Sequence, residues 1–161
     1  MNKRTKNITH AALIAALYVV LTYVANMFGM ANGVIQLRFS EALCILPYYT
    51  AAAVPGLFVG CLLSNFLTGC TLVDVIVGSL ATLLGAVITR KLRRNKWLAP
   101  LGPVLCNTFM IPFVLLYAYG IRPLWFSFLT VFAGEVLSSG VMGMILLFAL
   151  QKNKDRIFGE E

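Results

Sequence analysis

Charge is scarce in this chain. Only 12% of its 161 residues are Asp, Glu, Lys or Arg, while 60% are hydrophobic, and the mean hydropathy is +0.85. Soluble domains carry about a quarter charged residues, so a soluble globule is excluded and an integral membrane protein is expected. Histidine occurs once, at His10, and reads as a surface residue. With no second histidine there are no paired His ligands, and neither HExxH nor GxSxG occurs. The cysteines Cys44, Cys61, Cys70 and Cys106 make no CxxC and no Cys/His metal spacing. They read as small buried hydrophobes. GxxxxGK[ST] is missing, so no nucleotide is held by a P-loop. These absences point away from an enzyme, from a metal site and from a bound cofactor. Internal repeats are also missing, including the inverted repeats of many autonomous secondary transporters.

What charge there is stands in blocks. Thirteen Lys and Arg against six Asp and Glu give a net charge of +7. The basic residues gather as Lys3, Arg4, Lys6; as Arg90, Lys91, Arg93, Arg94, Lys96; and as Lys152, Lys154, Arg156. Each block abuts an apolar run, which is the positive-inside pattern and places all three in the cytoplasm. A nucleic-acid surface would need those charges on one exposed face. The run 8–28 is too long for the h-region of a signal peptide, usually about 7–15 residues, and reads as a retained first helix. The expected fold is an all-α integral membrane protein. It is one transmembrane domain over 1–161, a compact bundle of six helices at about 7–28, 38–50, 55–69, 72–90, 97–119 and 123–150. An even number of spans puts both termini in the cytoplasm.

The polar residues inside these spans carry the chemistry. Asn107 and Glu135 each lie roughly twelve residues from the outer end of adjoining spans, about 18 Å deep. Antiparallel neighbours bring them to one depth. A carboxylate at mid-membrane costs about 2.5–3.5 kcal/mol on insertion scales, so Glu135 is expected to face a polar cavity. The alternative is a protonated Glu135 bonded to a neighbouring Ser or carbonyl. Arg38 and Glu41 stand three apart at the start of the second span, either facing a ligand or bonding each other. Asp74 opens the fourth span, where a carboxylate complements the helix dipole or serves a ligand. Asn65, Gln36, Trp125, Tyr117 and Tyr119 complete the outer polar and aromatic set. Ala11 and Ala15, and Ala12 and Ala16, are four apart on helix 1. Such a small-residue face serves an internal helix contact or a docking surface. Gly56 and Gly60 have the same spacing.

The strings Ile35-Gln-Leu-Arg-Phe-Ser-Glu-Ala-Leu43, Pro55-Gly-Leu-Phe-Val-Gly-Cys-Leu-Leu-Ser-Asn65 and Asp74-Val-Ile-Val-Gly-Ser-Leu-Ala-Thr82 resemble the substrate-binding (S) components of energy-coupling factor (ECF) vitamin transporters. Within that group the chain most resembles the QueT family, importers of queuosine precursors. The resemblance covers nearly the whole length. It implies six spans with both termini inside, a substrate bound from outside, and partners in a transmembrane T subunit and two cytoplasmic ATPases. It implies that Ala11 to Ala16 dock on the T subunit. The substrate implied is a 7-deazaguanine, such as 7-aminomethyl-7-deazaguanine or queuine. Glu135, Glu41 and Asp74 are then candidate acceptors, Asn107, Asn65 and Gln36 candidate amides, and Trp125, Tyr117 or Tyr119 candidate stacking rings. Arg38 or Glu41 is expected to touch ligand or order the loop before it. The alternatives are an S component for another vitamin (riboflavin, biotin or a folate-like compound), or a small scaffold or channel-like oligomer.

Overall fold

The computed structural model describes residues 2–29 and 37–158. They form α1 (Lys3–Met27), a 3-10 helix (Phe39–Tyr48), α2 (Ala53–Leu67) and α3 (Leu72–Lys91). After a short 3-10 turn (Lys96–Leu98) come α4 (Leu101–Tyr119), α5 (Leu124–Glu135), a π-helical segment (Val136–Met142), α6 (Gly143–Gln151) and α7 (Lys154–Ile157). Four stretches are long and apolar enough to cross a membrane: Arg4–Met27, Leu72–Lys91, Lys96–Tyr119 and Leu124–Gln151. Phe39–Tyr48 and Ala53–Leu67 are apolar but shorter.

The expected helix at 38–50 differs in kind. It is a ten-residue 3-10 helix, far longer than the usual three or four residues. At about 2.0 Å rise per residue it spans roughly 20 Å, where an α-helix of equal length spans about 15 Å. Residues 40–47 are all buried, so the segment is a central strut. It packs against α1, α2, α3, α6 and the π segment. The expected sixth helix, 123–150, is likewise not uniform. Its π turn bulges the backbone and turns Ser138 and Ser139 inward.

Close approach sets the bundle. A Cβ on Gly56 would lie 2.7 Å from the Ala11 carbonyl oxygen, and one on Gly60 would lie 2.8 Å from Tyr18 Cβ. The α1–α2 contact therefore has no room for a methyl group. α3 meets α4 as tightly, where a Cβ on Gly85 would lie 2.9 Å from Pro103 Cα. Gly120, at φ +67, ends α4 in the left-handed conformation that glycine adopts without strain.

The solvent pattern is inverted. Large apolar side chains face outward, with Ile8, Phe66, Phe109, Leu129 and Ile145 all more than half exposed, while Glu41, Asp74, Asn107 and Glu135 are each less than a tenth exposed. Lipid favours this arrangement, since it hydrates neither a carboxylate nor an amide. The chain is a multi-pass membrane protein on these grounds. Contacts also gather the basic blocks at one end. Lys6 Nζ donates to the Phe158 carbonyl at 2.9 Å, the Phe158 ring stacks on Tyr49 at 5.4 Å, and Arg90 donates to the Pro47 carbonyl at 3.3 Å.

Candidate functional site: a cavity beside a buried carboxylate network

At the end opposite the basic blocks, a cavity of about 700 Å³ opens among the C-terminal end of α1, the start of the 3-10 helix, the end of α2, the start of α3 and the end of α4. Pockets for small ligands run about 300–1,000 Å³. Its polar lining includes Thr22, Asn26, Arg38, Asn65, Asp74 and Tyr119. Local structure explains several of these placements. Thr71 caps α3, its Oγ1 accepting from the Asp74 amide at 3.4 Å. The Asp74 side chain is thereby free of capping duty and takes the Tyr119 hydroxyl on Oδ2 at 3.1 Å. Asp74 Oδ1 is buried with no hydrogen-bond partner. The Asn65 amide makes only long contacts, to the Asp74 carbonyl at 3.5 Å and to Cys61 Sγ at 3.6 Å. Gly78 leaves the room for both groups, since a Cβ there would lie 3.0 Å from Asn65 Nδ2 and 3.3 Å from Asp74 Oδ1.

The other two carboxylates belong to a network that adjoins the cavity through Thr22 and Arg38. Glu41 Oε1 accepts from the Tyr18 hydroxyl and Oε2 accepts from the Cys44 thiol at 3.0 Å. Thr22 Oγ1 lies 2.9 Å from Ser40 Oγ, and the Arg38 amide donates to Ser138 Oγ at 3.3 Å. Glu135 Oε1 accepts from Asn107 Nδ2 at 2.9 Å. Ser139 Oγ sits 3.1 Å from both Glu135 Oε2 and the Glu41 carbonyl oxygen, with one proton for the two. The single depth expected for Asn107 and Glu135 is what the fold provides. Neither residue stands on the cavity lining, however, and neither does Glu41.

The side-chain pair Arg38–Glu41 is not formed. Arg38 is the cap of the 3-10 helix, with extended φ and ψ of −109° and 105°, so its side chain leaves the helix that carries Glu41. What joins them is the backbone bond from the Glu41 amide to the Arg38 carbonyl at 3.0 Å. Trp125 is 67% exposed and stands edge-on to Phe126, and Tyr117 is 80% exposed. Both lie away from the cavity lining and match the interfacial belt, which leaves Tyr119 as the aromatic at the cavity. Gln36 lies outside the described residues. The sequence reading missed Tyr18 and Cys44 as partners of Glu41, while the neighbouring serine it offered for Glu135 is Ser139. A lone tyrosine one turn beyond the alanine run was the signal available for Tyr18.

The alanine face of α1 divides. Ala15 is buried and, with Ala11, packs on Gly60 and Gly56, while Ala12 and Ala16 are exposed. A shallow apolar groove of about 480 Å³ runs beside Ala11, Ala12 and Ala15 on one side and Ala51, Ala52 and Val59 on the other.

A family model described as QueT transporter matches residues 8–152. The chain belongs to the QueT transporter family. It is 41% identical over 81 residues to a protein named queuosine precursor transporter QueT, from Lactococcus lactis subsp. cremoris (strain MG1363). That match takes in 50% of this chain and 47% of the relative, so the chain spans about half the length of the curated relative it matches. No solved structure matches the chain.

Proposed function

We propose that the chain is the substrate-binding S component of an ATP-driven ECF importer, and that its substrate is a queuosine precursor of the 7-deazaguanine type. Family membership supports the transport class. The observation that carries the binding role is the outer cavity, which holds both Arg38 and Asp74 on a lining that mixes polar residues with apolar ones such as Ile111 and Leu115. An S component holds its substrate and leaves ATP hydrolysis to partner subunits, so this chain is not itself the enzyme. In this reading the whole of 1–161 is one transmembrane domain of six spans, the short 3-10 helix and α2 being two of them. Both termini are cytoplasmic. The convergence of the basic blocks at the end opposite the cavity favours that topology. Arg38, Asn65 and Asp74 contact substrate, and Glu41, Glu135 and Asn107 hold the wall behind them.

The T subunit docks on the exposed part of the alanine face. Ala12 and Ala16 meet the partner directly, while Ala11 and Ala15 set the spacing of α1 on α2. Ala12→Trp is expected to abolish co-purification with the T subunit and leave ligand affinity intact; unchanged co-purification removes the docking face. For the substrate, the test is titration calorimetry on the full chain in detergent. Saturation by 7-aminomethyl-7-deazaguanine or queuine is expected, with no ATPase activity until partners are added. Heat from riboflavin or biotin and none from a deazaguanine keeps the class and overturns the substrate. No saturable ligand at all favours a scaffold or channel-like oligomer.

A further inference from the structure

The cavity carries opposite charges that attract each other without a direct ion pair. Among the described residues the Arg38 guanidinium has no hydrogen-bond or ion-pair partner, since both hydrogen bonds of Arg38 are made by its backbone amide and carbonyl. Asp74 is 5% exposed, with Oδ1 unpartnered and Oδ2 held by the Tyr119 hydroxyl alone. Both side chains line the same cavity. The two glutamates differ, because every carboxylate oxygen of Glu41 and Glu135 already has a partner within the bundle. A ligand therefore meets one carboxylate with spare capacity and one cation that has no acceptor among the described residues.

A carboxylate with two available oxygens matches two parallel N–H donors, the same fork geometry that guanidinium groups present. A free guanidinium matches a carbonyl-type acceptor. We propose that Asp74 and Arg38 form a two-point recognition pair for a planar heterocycle. Asp74 takes an adjoining ring N–H and amino group, Arg38 takes the ring carbonyl, and Tyr119 cedes Oδ2 as the ligand arrives. Gly78 is the positioning element, because the missing Cβ leaves the carboxylate and the Asn65 amide free to turn toward the ligand. This inference rests on the outer cavity being the substrate site and selects which of the three carboxylates reads the substrate.

The test is calorimetry of the full chain in detergent with 7-deazaguanine and 7-deazahypoxanthine, which differ only in the 2-amino group. The unaltered protein is expected to bind 7-deazaguanine at least about tenfold more tightly, since losing one donor leaves a buried charged acceptor unpaired. Asp74→Asn is expected to weaken 7-deazaguanine about tenfold or more and to shrink the difference between the two bases to under about threefold. Arg38→Gln is expected to weaken both bases alike and preserve their difference. Tyr119→Phe, which keeps the ring, is expected to preserve that difference and bind no more weakly than the unaltered protein. Equal affinities on the unaltered protein, or a difference that survives Asp74→Asn, overturn the pair and leave the substrate reading standing. Unchanged affinity in Arg38→Gln removes Arg38 from the pair. Saturation by neither base overturns both the pair and the substrate reading. The comparison of the two bases needs no variant, so a failure of Asp74→Asn to fold leaves the inference open to refutation.

Discussion

The two carboxylate regions of this molecule are both buried, yet they are built differently. Around Glu41 and Glu135, Tyr18, Cys44, Asn107 and Ser139 fill every carboxylate oxygen. Around Asp74, one oxygen has the Tyr119 hydroxyl and the other has nothing. An unmet buried acceptor costs about 1–3 kcal/mol. The difference separates two uses of one functional group. The filled network ties the 3-10 helix to α1, α4 and the π segment, and its worth is mechanical. The half-filled site keeps capacity for a partner that is not in the chain, and its cost is carried by the rest of the bundle.

That contrast can be broken from either side. The largest expected effect is Glu41→Ala. It strands the Tyr18 hydroxyl and the Cys44 thiol in a dry interior and leaves a cavity. The expected loss is about 3 kcal/mol, read as a lowered unfolding midpoint in detergent. A midpoint unchanged within error would mean that the network does not hold the fold. Ser139→Ala comes next. It removes the one hydroxyl that joins Glu135 to the 3-10 helix, at a cost of about 0.6–1 kcal/mol, the usual range for a hydrogen bond within a membrane bundle. Equilibrium unfolding in mixed micelles measures it. Glu135→Gln should cost less, because the Gln carbonyl still accepts from Asn107; a destabilisation as large as that of Glu41→Ala would place a further partner on Glu135. The smallest effect on stability belongs to Asp74→Asn. Only the replaceable Tyr119 bond and an attraction to Arg38 without direct contact are altered, so a change of no more than about 0.5 kcal/mol is expected. A large loss of stability there would make Asp74 a structural carboxylate like the other two and erase the contrast.

Much of this arrangement was legible before folding. Membrane residence followed from composition. The spacing of Asn107 and Glu135 from adjoining span ends predicted a shared depth, and their side chains do bond. Gly56 and Gly60 announced a close helix contact, and α1 fills it. Other features left no periodic trace. The 3-10 strut is continuously apolar apart from Ser40 and Glu41, so its period was hidden. The π turn at Val136–Met142 depends on one extra residue per turn, which the apolar run around it does not reveal. Arg38 and Glu41 looked paired because spacing assumes a common helix, and the extended backbone at Arg38 removes that assumption. Trp125 and Tyr119 carried equal weight as stacking residues; only the packing of α4 on α3 turned one of them to the cavity.

Composition and charge order are sums along the chain and need no fold. They sufficed to make this a basic-ended, apolar bundle with a few costly polar residues inside. Which of those residues is satisfied is another kind of quantity. Ser139 meets the Glu41 carbonyl across 98 residues of sequence, and Tyr119 meets Asp74 across 45. A hydrogen bond fails within an ångström of misplacement, and no pattern of residue types carries that precision. The tertiary structure alone decided that two carboxylates are closed into the frame and that the third, with Arg38 on the same cavity lining, stands open.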